Sequence, residues 1–263
     1  MDVALIGRSD GGVGDRGSAL VRDSEAGTKK NDLKPWQKKQ WCIGQINGEF
    51  LARMEDVLDL YEERYDPKRP VVCFDERSCQ LLQDMVEPIA MKPGNVRKED
   101  YHYKRNGTGT ILMACEPLAG KRITQTTEQR TTQDYAFFMK QVADSYPEAD
   151  VIRLVQDNLN THTPGSFYET FEASTARELS KRFEYHYTPK KASWLNMAEI
   201  EFSVLGKQCL NRRIADQQTL AREVRCWEKH RNKEGTKICW RFTTNDARKK
   251  LKRHYETMLD YAY

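Results

Sequence analysis

The chain has 263 residues, 31% charged and 38% hydrophobic, with a net charge of +4. That balance fits a folded chain with a charged surface. No stretch approaches the ~18–20 apolar residues of a spanning helix, and no membrane partner is expected. The seven cysteines are odd in number and show no CxxC spacing, and the five histidines show no HExxH, which excludes a disulfide framework and a Cys/His zinc site.

Residues 1–32 are rich in Gly, Asp, Ser and Arg and read as a disordered tail. The Gly12–Gly17 stretch matches GxGxxG, but no strand–turn–helix unit surrounds it, so it is a decoy. With no basic leader before the short apolar run Val3–Ile6, a cytoplasmic or nuclear setting is expected, cytoplasmic first. Residues 33–66 read as a basic linker, carrying Trp36 and Trp41, followed by a helix over about Gly48–Tyr65. Phe50, Met54, Val57, Leu58 and Tyr61 form its core-facing stripe.

Residues 67–263 read as the main domain. Val71–Phe74 is a short buried strand ending in Asp75 and Glu76. Thr108–Glu116 and Lys121–Thr127 flank Pro117-Leu-Ala-Gly120 and form a hairpin. Thr131 or Thr132 caps a helix bearing Tyr135, Phe138, Met139, Val142 and Tyr146 on one face. Val151–Val155 is a second buried strand, and it too ends in an acid, Asp157. Thr163-Pro164 opens a helix to about Arg182. Phe183–Tyr187 is a short strand, Ser193 caps a helix to about Asn211, and two helices near 217–231 and 245–259 close the chain. The order predicts an α/β fold, a mixed sheet with helices packed on it.

Two strands that each deliver an acid at their C-terminal ends bring Asp75 and Asp157 together where open α/β sheets bind ligands. Two close carboxylates repel unless a cation neutralises them, and Mg²⁺ suits an all-oxygen site. A third acid is expected from the helix that follows the last strand. At ~100° per residue, Glu199 and Glu201 lie on opposite flanks of the apolar stripe of Leu195, Ala198, Phe202, Leu205 and Cys209, each ~80° from its centre. Helical geometry does not choose between them. Three carboxylates suit two divalent ions that clamp the attacking and leaving oxygens of a displacement at phosphorus.

Several motifs occur in order around these acids. They are Val71-Val-Cys-Phe-Asp-Glu76, Tyr103-Lys-Arg-Asn-Gly107, Cys115-Glu-Pro-Leu-Ala-Gly120, Gln156-Asp-Asn-Leu-Asn-Thr-His162, Tyr187-Thr-Pro189 and Ser193-Trp-Leu-Asn-Met-Ala-Glu-Ile-Glu201. From about Leu33 onward the chain resembles the DDE endonuclease domain of bacterial insertion-sequence transposases of the mariner-type superfamily. The resemblance implies a ribonuclease-H-like fold, catalytic metal ligands at Asp75, Asp157 and Glu199, and two Mg²⁺ or Mn²⁺ ions. It also implies double-stranded DNA, both transposon ends and target, as substrate, and a homodimer. It decides the third acid, because the family's Leu-Asn-x-x-Glu pattern falls on Leu195, Asn196 and Glu199. Asn158, His162, Glu201 and Trp194 stand as accessory candidates. His162 could contact phosphate or orient a carboxylate, and Trp194 could stack on a base or pack at the helix start. Two departures stand out. Lys191-Ala192 replaces the family's His-Gly, which points to a tighter loop before Glu199. Residues 1–32 are too short for the family's helix-turn-helix reader, which suggests a truncated chain and, as the alternative function, an idle inhibitor that binds DNA or a full-length partner.

Overall fold

The computed structural model describes residues 46–260. The tail 1–32, the GxGxxG decoy and the basic segment with Trp36 and Trp41 lie outside them.

Helix α1, Gly48–Glu62, begins where the Asn47 side chain accepts from the Phe50 N–H. Strand β1 spans Val71–Asp84, β2 Tyr103–Glu116 and β3 Lys121–Thr127. Helix α2, Thr132–Asp144, starts at a full capping box between Thr131 and Asp134, so Thr131 is the cap. Strand β4 is Ile152–Gln156, followed by α3, Gly165–Thr170, and α4, Ala173–Arg182. Strand β5 is Phe183–Tyr187. A 3₁₀ turn, Ser193–Leu195, leads into α5, Ala198–Gln208. Helices α6, Gln217–Glu234, α7, Thr244–Lys250, and α8, Lys252–Asp260, follow.

The five strands form one sheet in the order β3-β2-β1-β4-β5. Strands β1 to β3 pair antiparallel, while β4 and β5 run parallel to β1. This mixed sheet with helices on both faces is the α/β, ribonuclease-H-like arrangement that the motifs imply. On one face, Phe74, Leu112, Leu154 and Phe183 meet Tyr135, Phe138 and Met139 of α2 and Phe167 of α3. On the other, Cys73, Cys115 and Val155 meet Met54, Val57 and Leu58 of α1 together with Leu195 and Ala198. A third cluster joins Leu81, Ile111 and Met113 to Phe202 and Leu205 of α5 and to Leu220, Val224 and Trp227 of α6. Each fully buried side chain of this size contributes about 1.5–3 kcal/mol.

The β2–β3 turn ends at Gly120, whose φ is +70°. A Cβ there would stand 2.6 Å from the Gly235 carbonyl oxygen at the end of α6, so conformation and contact both require glycine. Gly235 itself ends α6 in the left-handed conformation.

Several sequence expectations are corrected. Strand β1 does not end at Asp75 but runs on to Asp84, held by β2 through an irregularity between Gln80 and Leu82. Its parallel pairing with β4 stops at Cys73–Val155, so Asp75 still stands just beyond the point where those two strands part. The single helix expected from Thr163 to Arg182 is two helices. Phe171 is extended (φ −119°, ψ 163°) because it packs onto the core and edge-on against Phe137, 5.3 Å between rings. Ser193 makes no cap; it opens the 3₁₀ turn, and the Asn196 side chain accepts from the Ala198 N–H instead. The expected last helix is divided between α7 and α8.

Candidate active site

Three elements converge where β1 and β4 part. Asp75 lies in β1, Asp157 directly follows β4, and Glu199 lies in the first turn of α5. Asn196 sets the position of that turn. It is buried, and its Nδ2 donates to the Phe74 carbonyl at 2.7 Å, in the residue before Asp75. The helix carrying Glu199 is thus tied to the strand carrying Asp75.

Strand alternation divides the carboxylates. Phe74 faces α2 and Cys73 faces α1, so Asp75 and Glu76 leave the strand on opposite faces. The half-buried Asp75 carboxyl is pushed up to about 7, first by burial and then by the charge of Glu199, with Glu76 and Asp157 adding to it. The Glu76 N–H, donating to Asp75 Oδ1 at 2.8 Å, opposes that rise. Asp75 is therefore the centre of a negatively charged neighbourhood made by the acids singled out in the sequence.

Glu201 takes no part in that neighbourhood. It is fully buried, with Arg122 Nη2 at 2.6 Å and Arg231 Nη2 at 3.1 Å from its Oε1. Those arginines come from β3 and α6, so Glu201 locks α5 to the antiparallel half of the molecule. Glu199 is exposed. Of the two acids that helical geometry left open, Glu201 is thus paired with two cations, while Glu199 stands exposed.

His162 is 3% exposed. Its Nδ1 lies 2.5 Å from Asp157 Oδ1 and its Nε2 3.1 Å from Glu76 Oε2. Burial alone would lower its pKa, but the two carboxylates outweigh burial and push it up to about 9. Asn158 is exposed on the loop after Asp157. Trp194 is 45% exposed, with its ring stacked on Trp240 at 6.4 Å and edge-on to Phe242 at 5.9 Å. Ala192 is buried with φ −120°, a conformation that needs no glycine; the left-handed residue is Lys191, at φ 63°.

Sequence reasoning did not single out Gln156, Arg122 and Arg231 as site-forming residues. Gln156 is fully buried, accepts from the Tyr135 hydroxyl at 2.9 Å and donates to the His162 carbonyl at 2.7 Å. Its one sequence signal is a polar residue completing an apolar strand.

The donor set is hard oxygen, which suits Mg²⁺ or Mn²⁺. The raised Asp75 carboxyl also fits a cation, since the charges of Glu199, Glu76 and Asp157 add to burial in raising it. Among the described residues, no group of three or more His, Cys, Asp or Glu side chains stands close enough to share one ion. No helix among the described residues is long and apolar enough to cross a membrane.

The sequence profile of the DDE superfamily endonucleases matches residues 70–221, a span that holds all three acids. Among solved structures, the Mos1 transposase paired-end complex with left transposon end is similar at a TM-score of 0.52 and 13% identity. The match covers 79% of this chain and 63% of that one. The mariner Mos1 paired-end complex with Mg matches at 0.52 and 13% identity, covering 89% and 77%. The Mos1 Strand Transfer Complex matches at 0.52 and 11% identity, covering 79% and 62%. The chain thus spans less than two thirds of the first of these structures, and at such identities the likeness speaks for the fold. No curated protein sequence matches the chain.

Proposed function

The chain belongs to the DDE superfamily of endonucleases, and from that premise we propose that it is the catalytic domain of a DNA transposase. On this reading Asp75, Asp157 and Glu199 hold two divalent ions, Mg²⁺ or Mn²⁺. The observation that carries it is the Asp75 carboxyl, buried at the parting of two parallel strands and opposed by the charges of Glu199 and Asp157. When bound, the metal activates the attacking oxygen and stabilises the leaving oxygen in displacement at phosphorus. The protein's own task is positioning. Asn196 fixes the start of the Glu199 helix against β1, and Gln156 fixes the loop after Asp157. Water attacks in strand cleavage and a DNA 3′-hydroxyl attacks in strand joining, with no covalent enzyme intermediate. The Mos1 complexes with transposon ends support duplex DNA as partner, and the need to pair two ends supports a homodimer.

The test is nicking of supercoiled plasmid with added Mg²⁺ or Mn²⁺, wild type beside Asp157→Asn and Glu199→Gln. Nicking in the wild type alone is the expected result. Nicking that survives both substitutions would place the site elsewhere. A folded wild type that binds DNA without nicking it would favour the idle, DNA-binding alternative.

A further inference from the structure

The environment of His162 goes beyond what the triad requires. Its ring is enclosed by aromatics, stacked on Tyr135 (4.9 Å between centroids, 26°) and edge-on to Phe74 (5.1 Å, 78°). Its backbone is held as firmly. The His162 N–H donates to the Leu159 carbonyl at 2.9 Å, and its carbonyl accepts from Gln156 Nε2 at 2.7 Å. The preceding carbonyl, of Thr161, accepts from Ser166 Oγ at 2.6 Å. The ring is therefore fixed in place and direction, and its only polar atoms, the two nitrogens, each face a carboxylate. Glu76 Oε2 is buried and has no aligned hydrogen bond; the His162 ring at 3.1 Å is its near polar neighbour. Glu76 leaves β1 on the face opposite Asp75, so it bears on the candidate metal ligands from behind, through the imidazole.

We propose that Glu76, His162 and Asp157 form a carboxylate–imidazole–carboxylate clamp, in which His162 holds Asp157 Oδ1 and leaves Oδ2 to bind metal. The proposal rests on the assignment of Asp157 as a metal ligand. His162 and Glu76 are positioning residues: neither touches DNA or metal, and both act through Asp157. The physical need is plain. The Asp157 side chain is 41% exposed and, on a loop beyond its strand, would otherwise rotate freely. A ligand that must first be ordered binds its ion more weakly, and outer partners that orient metal-binding carboxylates are worth roughly 10–100-fold in metal affinity.

The experiment measures Mn²⁺ binding by electron paramagnetic resonance in wild type, His162→Ala, His162→Asn and Glu76→Gln, with melting temperature recorded for each. The Asn amide nitrogen occupies the place of Nδ1, so His162→Asn keeps the Asp157 contact. The expected result is a loss of roughly 10–100-fold in His162→Ala, substantial recovery in His162→Asn, and a smaller loss in Glu76→Gln. In the metal-free protein, the His162 ring nitrogen resonances move in Asp157→Asn and in Glu76→Gln. Wild-type Mn²⁺ affinity in folded His162→Ala, or in Glu76→Gln together with unmoved His162 resonances, would overturn the clamp and leave the triad standing. A wild type that binds no Mn²⁺ would overturn the triad and the clamp together.

Discussion

Replacing Asp75 by Asn should stabilise the metal-free protein while abolishing its activity. Burial and the neighbouring Glu199, Glu76 and Asp157 charges raise the Asp75 carboxyl from its ordinary 3.8 to about 7. The folded protein therefore holds this proton more tightly than the unfolded chain does. The sign follows: the contribution to stability is fully present below about pH 4 and is lost as pH rises through 7. At about 1.4 kcal/mol per pH unit, the charged carboxylate at pH 8 costs at most about 4 kcal/mol. Rearrangement of the neighbouring acids reduces that figure. Asparagine keeps the shape and removes the charge. Thermal melts in EDTA should place Asp75→Asn above wild type by up to roughly 10 °C at pH 8, since 1 kcal/mol is worth roughly 2–4 °C in a domain of this size. The gap should narrow as pH falls through 7 and close near pH 4, where the carboxyl is neutral in the unfolded chain as well. Mg²⁺ should raise the melting temperature of wild type and leave that of the variant unmoved. A variant less stable than wild type at pH 8, or a gap independent of pH, would refute the charge argument.

Other consequences follow from single residues. Glu201→Gln should lose about 3–5 kcal/mol in urea denaturation, because it leaves the buried Arg122 and the half-buried Arg231 without their anion. Glu199→Gln, at an exposed position, should unfold within about 0.5 kcal/mol of wild type yet fail to nick DNA; the opposite pattern would exchange the two acids' roles. Gly120→Ala should destabilise by more than about 1 kcal/mol, read in the same assay, since φ is +70° and the Gly235 carbonyl blocks the methyl. Lys191→Gly should relieve a left-handed lysine at φ 63° and raise stability by up to about 1 kcal/mol. A loss of stability there would mean that the Lys191 side chain makes a contact worth more than the strain.

Local patterns read well from sequence where the signal is local. The Pro117–Gly120 hairpin and the strands before and after α3 and α4 follow from turn chemistry and apolar runs, and Asp157 directly follows β4 as expected, whereas Asp75 lies within β1 and not at its end. Strand β1 was underestimated because residues 77–84 are polar and partly exposed; only pairing with β2 keeps them extended. The break at Phe171 is a tertiary effect, in which one aromatic gains more from the core than from continuing a helix. That Glu201 is buried between two arginines is illegible from helical periodicity, because those partners lie 79 and 30 residues away, on β3 and α6. His162 is legible in the sequence as a candidate to contact phosphate or orient a carboxylate, close after Asp157. That it faces a carboxylate on each side depends on the fold of the 157–162 loop and on the alternation of β1.

The most direct test of the central assignment is an anomalous difference map from crystals of the protein grown with Mn²⁺ and a duplex DNA end. The account predicts Mn²⁺ peaks at the parting of β1 and β4, held by Asp75, Asp157 and Glu199. Peaks away from these residues, or ligation by Glu201, would contradict it.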